Sequence, residues 1–320
     1  MRTTHVILGA GPVGRAVVAA LVTRGIEPAV VTRSGATVTG AVSRRADLAD
    51  SATAIEAVAG AHVVYQCAQP AYHRWPEQFP RLQSCALEAT AAVGAVFVAA
   101  ENLYGYGPAT RPITEELPLD ATTAKGVVRA RMWRELEEAH HAGRVRVVAA
   151  RASDFFGPEV RASVVGDRFF GPLVAGKRVH VVGNPDRLHT YTYVPDFGEA
   201  MVRLSETPAT WGQAWHVPNP PTTSTREFAE LAADIAGSTA RLHPVGRWQV
   251  RLVGAVVPAV REITELLYEF EDDWVVDHGR YAAILGDHAT PIDEALRATV
   301  THGTAVATFD ERVRRFTDAQ

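Results

Sequence analysis

The sequence predicts an α/β fold, a doubly wound parallel sheet with a smaller C-terminal lobe, and three observations predict it. A short apolar run, His5 to Leu8, breaks into Gly9, Gly11 and Gly14 and is followed by the helical run Arg15 to Arg24. The first half then alternates short apolar runs with helical stretches, the pattern of a parallel sheet covered on both faces. After residue 155 the pattern loosens, with turns at Gly157-Pro158, Gly171-Pro172, Asn184-Pro185 and Pro218 to Pro221.

The first strand and its loop spell G-x-G-x-x-G at the mouth of a helix, with Pro12 and Val13 between the second and third glycines. Gly9 allows the tight turn, Gly11 lets backbone approach a pyrophosphate, and Gly14 lets the helix pack on the strand. The helix N-terminus offers N–H groups and a positive dipole end to phosphate. The next strand, Glu27 to Thr32, ends in Thr32-Arg33-Ser34. An acid at this end would grip a ribose 2′-hydroxyl, and none is present. Arg33 offers a planar fork for a 2′-phosphate, and Thr32 and Ser34 offer hydroxyls, so the expected cofactor is NADP(H). The plainer alternative is a solvated loop arginine. Asp47 and Leu48, before the helical run from Asp50, fall where an adenine contact belongs.

Ala61 to Cys67 reads as a strand ending in Ala68-Gln69-Pro70, with Cys67, Ala68 and Gln69 beside the expected cofactor. Tyr72, His73 and Trp75 follow it, as substrate contacts or as ordinary aromatic anchors. Gln83 to Val93 has helical periodicity, Ala95 to Ala100 is a strand with Ala99 on the cofactor side, Ala124 to Gly143 a long helix, and Val145 to Ala150 a strand. The Thr222 to Thr225 cluster reads as a capped helix entry. The expected domains are 1–155, with a returning core segment near 186–221, and a substrate-binding lobe of 156–185 and 222–320.

A net charge of −4 over 320 residues, without a basic block, argues against nucleic acid as a partner. Cys67 and Cys85 are too few for a disulfide framework and lack metal spacing; His140 and His141 are adjacent on a helix and point apart, so no metal is expected. The longest apolar stretch, near Val250 to Val257, is interrupted by Arg251 and falls short of membrane-spanning length. With the first strand starting at once, the expectation is a cytoplasmic protein without a leader, acting on a small molecule.

From these residues onward the chain resembles the extended short-chain dehydrogenase/reductase superfamily, in its epimerase/dehydratase branch, on a Rossmann sheet. Val96 to Gly105 is similar to the strand and Tyr-Gly turn of that branch, Thr114 to Pro118 to its acidic-proline stretch, Arg151 to Pro158 to its arginine-to-Gly-Pro pocket segment, and Tyr193 to Asp196 to its Val-x-Asp signature. The resemblance implies a serine or threonine, a tyrosine, and a lysine one turn later. An ungapped alignment from Tyr104 puts Ala100, Lys125 and Arg129 at those places; a one-turn shift makes Lys125 the lysine and Ala121 the tyrosine. Both lack the tyrosine. Lys125 is then the candidate proton or charge partner, or a contact to cofactor ribose or phosphate with Arg129. Tyr104 and Tyr106 are the nearest phenols and catalytic candidates, Tyr104 with packing as its default and Tyr106 as the better pocket candidate; Ser153, Asp154, His189 and Tyr191 are candidate substrate contacts. The leading expectation is an NADP(H)-dependent oxidoreductase acting on a small carbonyl, imine or activated alkene. The alternatives are an epimerase or dehydratase with transient internal redox, and a non-catalytic NADP(H) sensor. Homodimers are an expectation of the resemblance.

Overall fold

The structure, a computed structural model, describes residues 4–109, 112–256 and 258–303. It divides into two compact units, one of Met1–Ser153, Pro195–Pro218 and Val276–His288, the other of Asp154–Val194, Asn219–Val275 and Ala289–Gln320. The 304–320 end of the expected lobe lies outside the described residues.

In chain order the first unit holds β1 (His5–Leu8), α1 (Pro12–Val22), β2 (Ala29–Thr32), β3 (Val42–Arg45), α2 (Ser51–Ala57), β4 (Val63–Gln66), α3 (Trp75–Ala92), β5 (Val96–Asn102), α4 (Ala124–His141) and β6 (Arg146–Ala152). The second unit contributes β7 (Asp154–Phe156), α5 (Asp167–Val174), β8 (Arg178–Val182), β9 (Leu188–His189) and β10 (Tyr191–Tyr193). Most of α6 (Val194–Glu206), together with β11 (Ala214–His216), returns to the first unit. The second unit resumes with β12 (Thr223–Ser224), α7 (Thr225–Ala236), β13 (Arg241–Val245), α8 (Arg247–Gly254), α9 (Pro258–Thr264) and α10 (Tyr268–Glu271); α11 (Gly279–Leu285) belongs to the first.

Seven strands form one sheet in the order β11-β6-β5-β4-β1-β2-β3, and every pairing is parallel. This is a doubly wound Rossmann-type sheet whose strand order reverses between β1 and β4, where such sheets open a crevice. β1 and β4 are buried on both faces, as a covered parallel sheet requires. His5 on β1 is buried against the Tyr65 hydroxyl at 2.9 Å, and Tyr65 meets Ser205 Oγ of α6 at 3.0 Å.

The glycines explain the turn between β1 and α1. Gly9 has φ +105°, and a Cβ there would lie 2.9 Å from the Ala68 backbone. A Cβ on Gly14 would lie 2.1 Å from the Gly9 carbonyl oxygen, so the helix seats on its own loop. β3 was not expected: Val42-Ser-Arg-Arg45 is a mostly exposed edge strand without hydrophobic alternation. The helix α3 begins at Trp75 rather than Gln83, with Pro76 in its first turn, where a missing N–H costs nothing, and Pro80 inside it. Asp50 caps α2 by accepting from Thr53 N–H, and Ser224 with Glu227 forms a capping box on α7.

The second unit pairs β7 with β10 and β8 with β13 in parallel, and β9 with β12 antiparallel. Its core gathers Phe156, Phe169, Phe170, Tyr191, Phe228 and Leu296. Phe228 is the hub, meeting Phe156 edge-on at 5.2 Å and Tyr191 at 4.5 Å. No helix among the described residues is long and apolar enough to cross a membrane.

Gly14→Ala is expected to destabilise the chain by about 3 kcal/mol or more, because backbone rather than a flexible side chain must yield. Gly11→Ala, whose Cβ meets nothing within 4 Å, is expected to stay within about 1 kcal/mol. Urea unfolding of the two variants checks the contrast.

Candidate active site

At the carboxyl end of β1 the backbone, not a side chain, makes the cradle. Gly11 caps α1 without a side-chain hydrogen bond, Pro12 occupies the first turn, and no acid stands in that turn. The space in front of Gly11 is open. A helix end with uncapped amides, no carboxylate and room at the middle glycine fits the pyrophosphate of a dinucleotide.

At the end of β2, Thr32 Oγ1 accepts from Ala36 N–H at 2.8 Å, shaping the turn, while Arg33 and Ser34 are exposed. Arg45 of β3 stands in register with Thr32 and donates from Nε to the Arg33 carbonyl at 3.1 Å. Two guanidinium side chains thus share adjacent strand ends. Arg45 was missed because β3 carries no periodic signal. Asp47 is exposed, its carboxylate accepting from Ala49 N–H at 3.1 Å and its carbonyl from Thr53 Oγ1 at 2.7 Å, and Leu48 is in the core. Cys67 N–H donates to the Leu8 carbonyl, and burial pushes its thiol up; Ala68 backs Gly9, Gln69 is exposed, and Ala99 is buried within β5.

The first turn of α4 is pressed on the Tyr104–Tyr106 turn: a Cβ on Gly126 would lie 2.5 Å from the Tyr104 carbonyl oxygen. This places Lys125, only 2% exposed, with its Nζ 5.6 Å from the centre of the Tyr72 ring. The Tyr72 and Tyr104 hydroxyls are 3.2 Å apart, and Tyr72 is 39% exposed. Trp75 is a buried anchor: it stacks on Tyr72 at 4.6 Å and donates from its indole to the Pro70 carbonyl. His73 is exposed and accepts from Arg74 at 3.3 Å. Lys125, Tyr72 and Tyr104 therefore form one cationic, phenolic cluster.

Behind it lies a buried charge network that the sequence did not announce. Arg129 Nη2 donates to the Ala100 carbonyl at 3.0 Å and lies 3.2 Å from Glu101 Oε1. Arg129 also covers the Phe79 ring at 4.9 Å. Arg151 donates to Glu101 Oε2 at 3.3 Å and to the Tyr106 hydroxyl at 2.7 Å. Tyr106 meets His216 Nε2 at 2.9 Å, and His216 Nδ1 meets the Asp277 carbonyl at 2.9 Å. A carbonyl only accepts, so Nδ1 carries the hydrogen and Nε2 accepts from the Tyr106 hydroxyl. The His216 amide is held by Glu115 at 2.9 Å. Tyr106 is buried, and burial pushes its phenol up. Burial, with the Arg151 charge, pulls His216 down to about 3.

In the second unit, His189 Nδ1 meets the Glu269 carbonyl at 3.0 Å and Nε2 meets Asp154 Oδ2 at 3.0 Å. Nδ1 must donate, so the Nε2–Oδ2 contact holds one shared proton. The ring stacks on Phe270 at 4.9 Å and leans on Tyr191 at 4.7 Å. Tyr191 is buried and bonds Thr225 Oγ1 at 2.8 Å. Ser153, the last residue of the first unit's opening segment, is also buried. Glu269, missed in the sequence, is buried beside this pair; burial, then the Asp154 charge, raises its carboxyl well above the ordinary range. Among the described residues no three His, Cys, Asp or Glu are grouped to hold a metal.

Residues 5–217 match the NAD dependent epimerase/dehydratase family. No curated protein sequence matches the chain. Among solved structures, UDP-glucuronic acid 4-epimerase from Bacillus cereus, in complex with UDP-glucuronic acid and NAD, superposes with TM-score 0.78 at 15% identity, over 95% of this chain and 100% of that one. UDP-glucose 4-epimerase from Thermotoga maritima, with UDP-glucose, gives 0.77 at 18% identity, over 95% and 100%. The Thermus thermophilus UDP-glucose 4-epimerase complex with NAD gives 0.75 at 20% identity, over 94% and 99%. At these identities the likeness shows the shared fold.

His216 and His5 are both buried and neutral, at about 3 and about 4 against an ordinary 6.5. A lowered folded value means protons bind the unfolded chain first. Stability is therefore complete above pH 6.5 and is lost as pH falls toward 4, by about 1.4 kcal/mol per pH unit for each histidine. Urea midpoints at pH 7, 5.5 and 4.5 check the slope, which is expected to be shallower in His216→Gln.

Proposed function

Because the chain belongs to the NAD dependent epimerase/dehydratase family, we propose that it is an enzyme that withdraws hydride from a small substrate and returns it within one turnover, as in epimerisation or dehydration. The observation that carries this reading is Lys125, buried on the first turn of α4 beside the Tyr72–Tyr104 phenol pair. A bound nicotinamide dinucleotide supplies the hydride acceptor and donor. The chain's own residues hold the substrate oxygen and move its proton.

Lys125 sets a positive charge where an oxygen gains negative charge, and a largely buried ammonium acts there more strongly than one in water. The phenol pair leads from that cluster toward solvent, since Tyr72 is partly exposed, and so offers a route for the hydroxyl proton. Arg129 is committed to Ala100 and Glu101, so it holds α4 against β5 rather than a cofactor. The structural neighbours named for UDP-sugars make UDP-sugars the first substrates to offer.

For the cofactor we favour NADP(H). The support is the pair Arg33 and Arg45 at adjacent strand ends, with no acid at the end of β2. The same pair favours a second reading, net reduction of a carbonyl, imine or activated alkene by an exchanging NADPH.

Fluorescence titration is expected to show NADPH binding more tightly than NADH. Arg33→Ala or Arg45→Ala should each weaken NADPH by about tenfold and leave NADH within about twofold. Tighter NADH binding in the parent protein would overturn the phosphate assignment. Single-turnover reaction with UDP-glucose or UDP-glucuronic acid, deuterated at the oxidised carbon, is expected to return the label to product. Label released into free cofactor would instead establish net redox. In Lys125→Met the hydride step should slow by about 10²-fold or more, and an unchanged rate removes Lys125 from the chemistry.

A further inference from the structure

The parallel pair β8–β13 has one anchored face and one charged face. Val179 and Val181 point into the phenylalanine core of the second unit. On the other face Arg178 stands in register with Arg241, and His180 with His243, and all four are exposed. The two imidazole centroids are 5.1 Å apart, edge to face. Side chains two apart on a strand share a face, and so do register partners, which puts the four groups at the corners of a rectangle of about 4.8 by 6.6 Å.

Among the described residues none of the four makes an ion pair. Like charges directly opposite one another weaken a sheet, and Arg178 facing Arg241 is that arrangement in a ribbon of only two strands. An oxyanion seated between the pairs turns the repulsion into attraction. Guanidinium forks take phosphate oxygens two at a time, and each imidazole adds an N–H donor. The patch also has an end: the next register pair on this face, Val182 with Val245, is apolar. Two anionic groups fill it, which suits a short phosphate chain and not a long polyanion.

We propose that the exposed face of β8–β13, built by Arg178, Arg241, His180 and His243, binds a small molecule carrying a di- or triphosphate. The site lies in the second unit, whereas the pyrophosphate cradle at Gly11 lies in the first. It requires nothing of the reaction proposed above and stands or falls separately from it.

The test is calorimetric titration of the full chain with inorganic tripolyphosphate, in the presence of saturating NADPH so that the Gly11 cradle is filled. One tripolyphosphate site is expected, with the His180 and His243 side-chain resonances shifting on binding. The double variant Arg178→Gln/Arg241→Gln should weaken binding at least tenfold while keeping or raising the thermal midpoint of the ligand-free chain, since it removes the facing like charges. His180→Gln/His243→Gln should weaken it several-fold. Unchanged affinity in the arginine variant, or tripolyphosphate binding abolished by NADPH, overturns the site. Equal affinity for the tricarboxylate tricarballylate overturns the phosphate assignment. Titration with ADP then separates a nucleotide ligand, which should bind more tightly than inorganic pyrophosphate, from a free polyphosphate, which should not.

Discussion

The Glu101 carboxylate lies between two guanidinium groups that are almost wholly withdrawn from water, and the meeting of α4, β5 and β6 is arranged around that neutralisation. Arg129 brings α4 to the end of β5, while Arg151 brings β6 to the same carboxylate and passes on to Tyr106. Removing one partner of such a set leaves a buried charge uncompensated, typically at a cost of about 3–5 kcal/mol. The cluster is thus a constraint on position more than a source of stability. Lys125 sits one turn before Arg129 on the same helix, so whatever fixes Arg129 also fixes the height of Lys125 above β5.

A buried lysine beside two phenols sets the electrostatics of that end. A phenol is neutral until it gives up a proton; an ammonium is charged from the start. Lys125 adds a third buried cation to Arg129 and Arg151, against the carboxylates of Glu101 and Glu115. The balance among these five groups is positive, which suits an anionic group bound beside them.

The parts of this arrangement that were legible in the sequence are those written in local chemistry. Gly9, Gly11 and Gly14 disclosed the turn, and the strand-helix alternation disclosed the sheet, because backbone geometry restricts which residues serve at those points. The offset of Lys125 from Tyr104 likewise survives as a spacing along the chain. What was not legible depends on partners far apart in sequence. Glu101 on β5 looks like any strand-end acid until Arg129 and Arg151 arrive, and Tyr106 meets His216 across 110 residues. β3 was hidden for another reason: an exposed edge strand needs no apolar alternation, and Arg45 vanished with it. Trp75 looked like a loop aromatic because it follows a strand end closely, yet α3 begins at it, with Pro76 in the first turn, where proline is tolerated.

The chain of hydrogen bonds from Arg151 through Tyr106 to His216 has a fixed polarity. A guanidinium can only donate, so Tyr106 must accept from it and pass its own hydrogen onward; His216 then points its remaining N–H at the Asp277 carbonyl. Neither terminus can take up or release a proton at ordinary pH, and no member can turn round without all the others turning. Such a chain is an insulator for protons. It meets the Glu101 carboxylate only through Arg151, a group that keeps its proton, so Glu101 exchanges none with His216 along it.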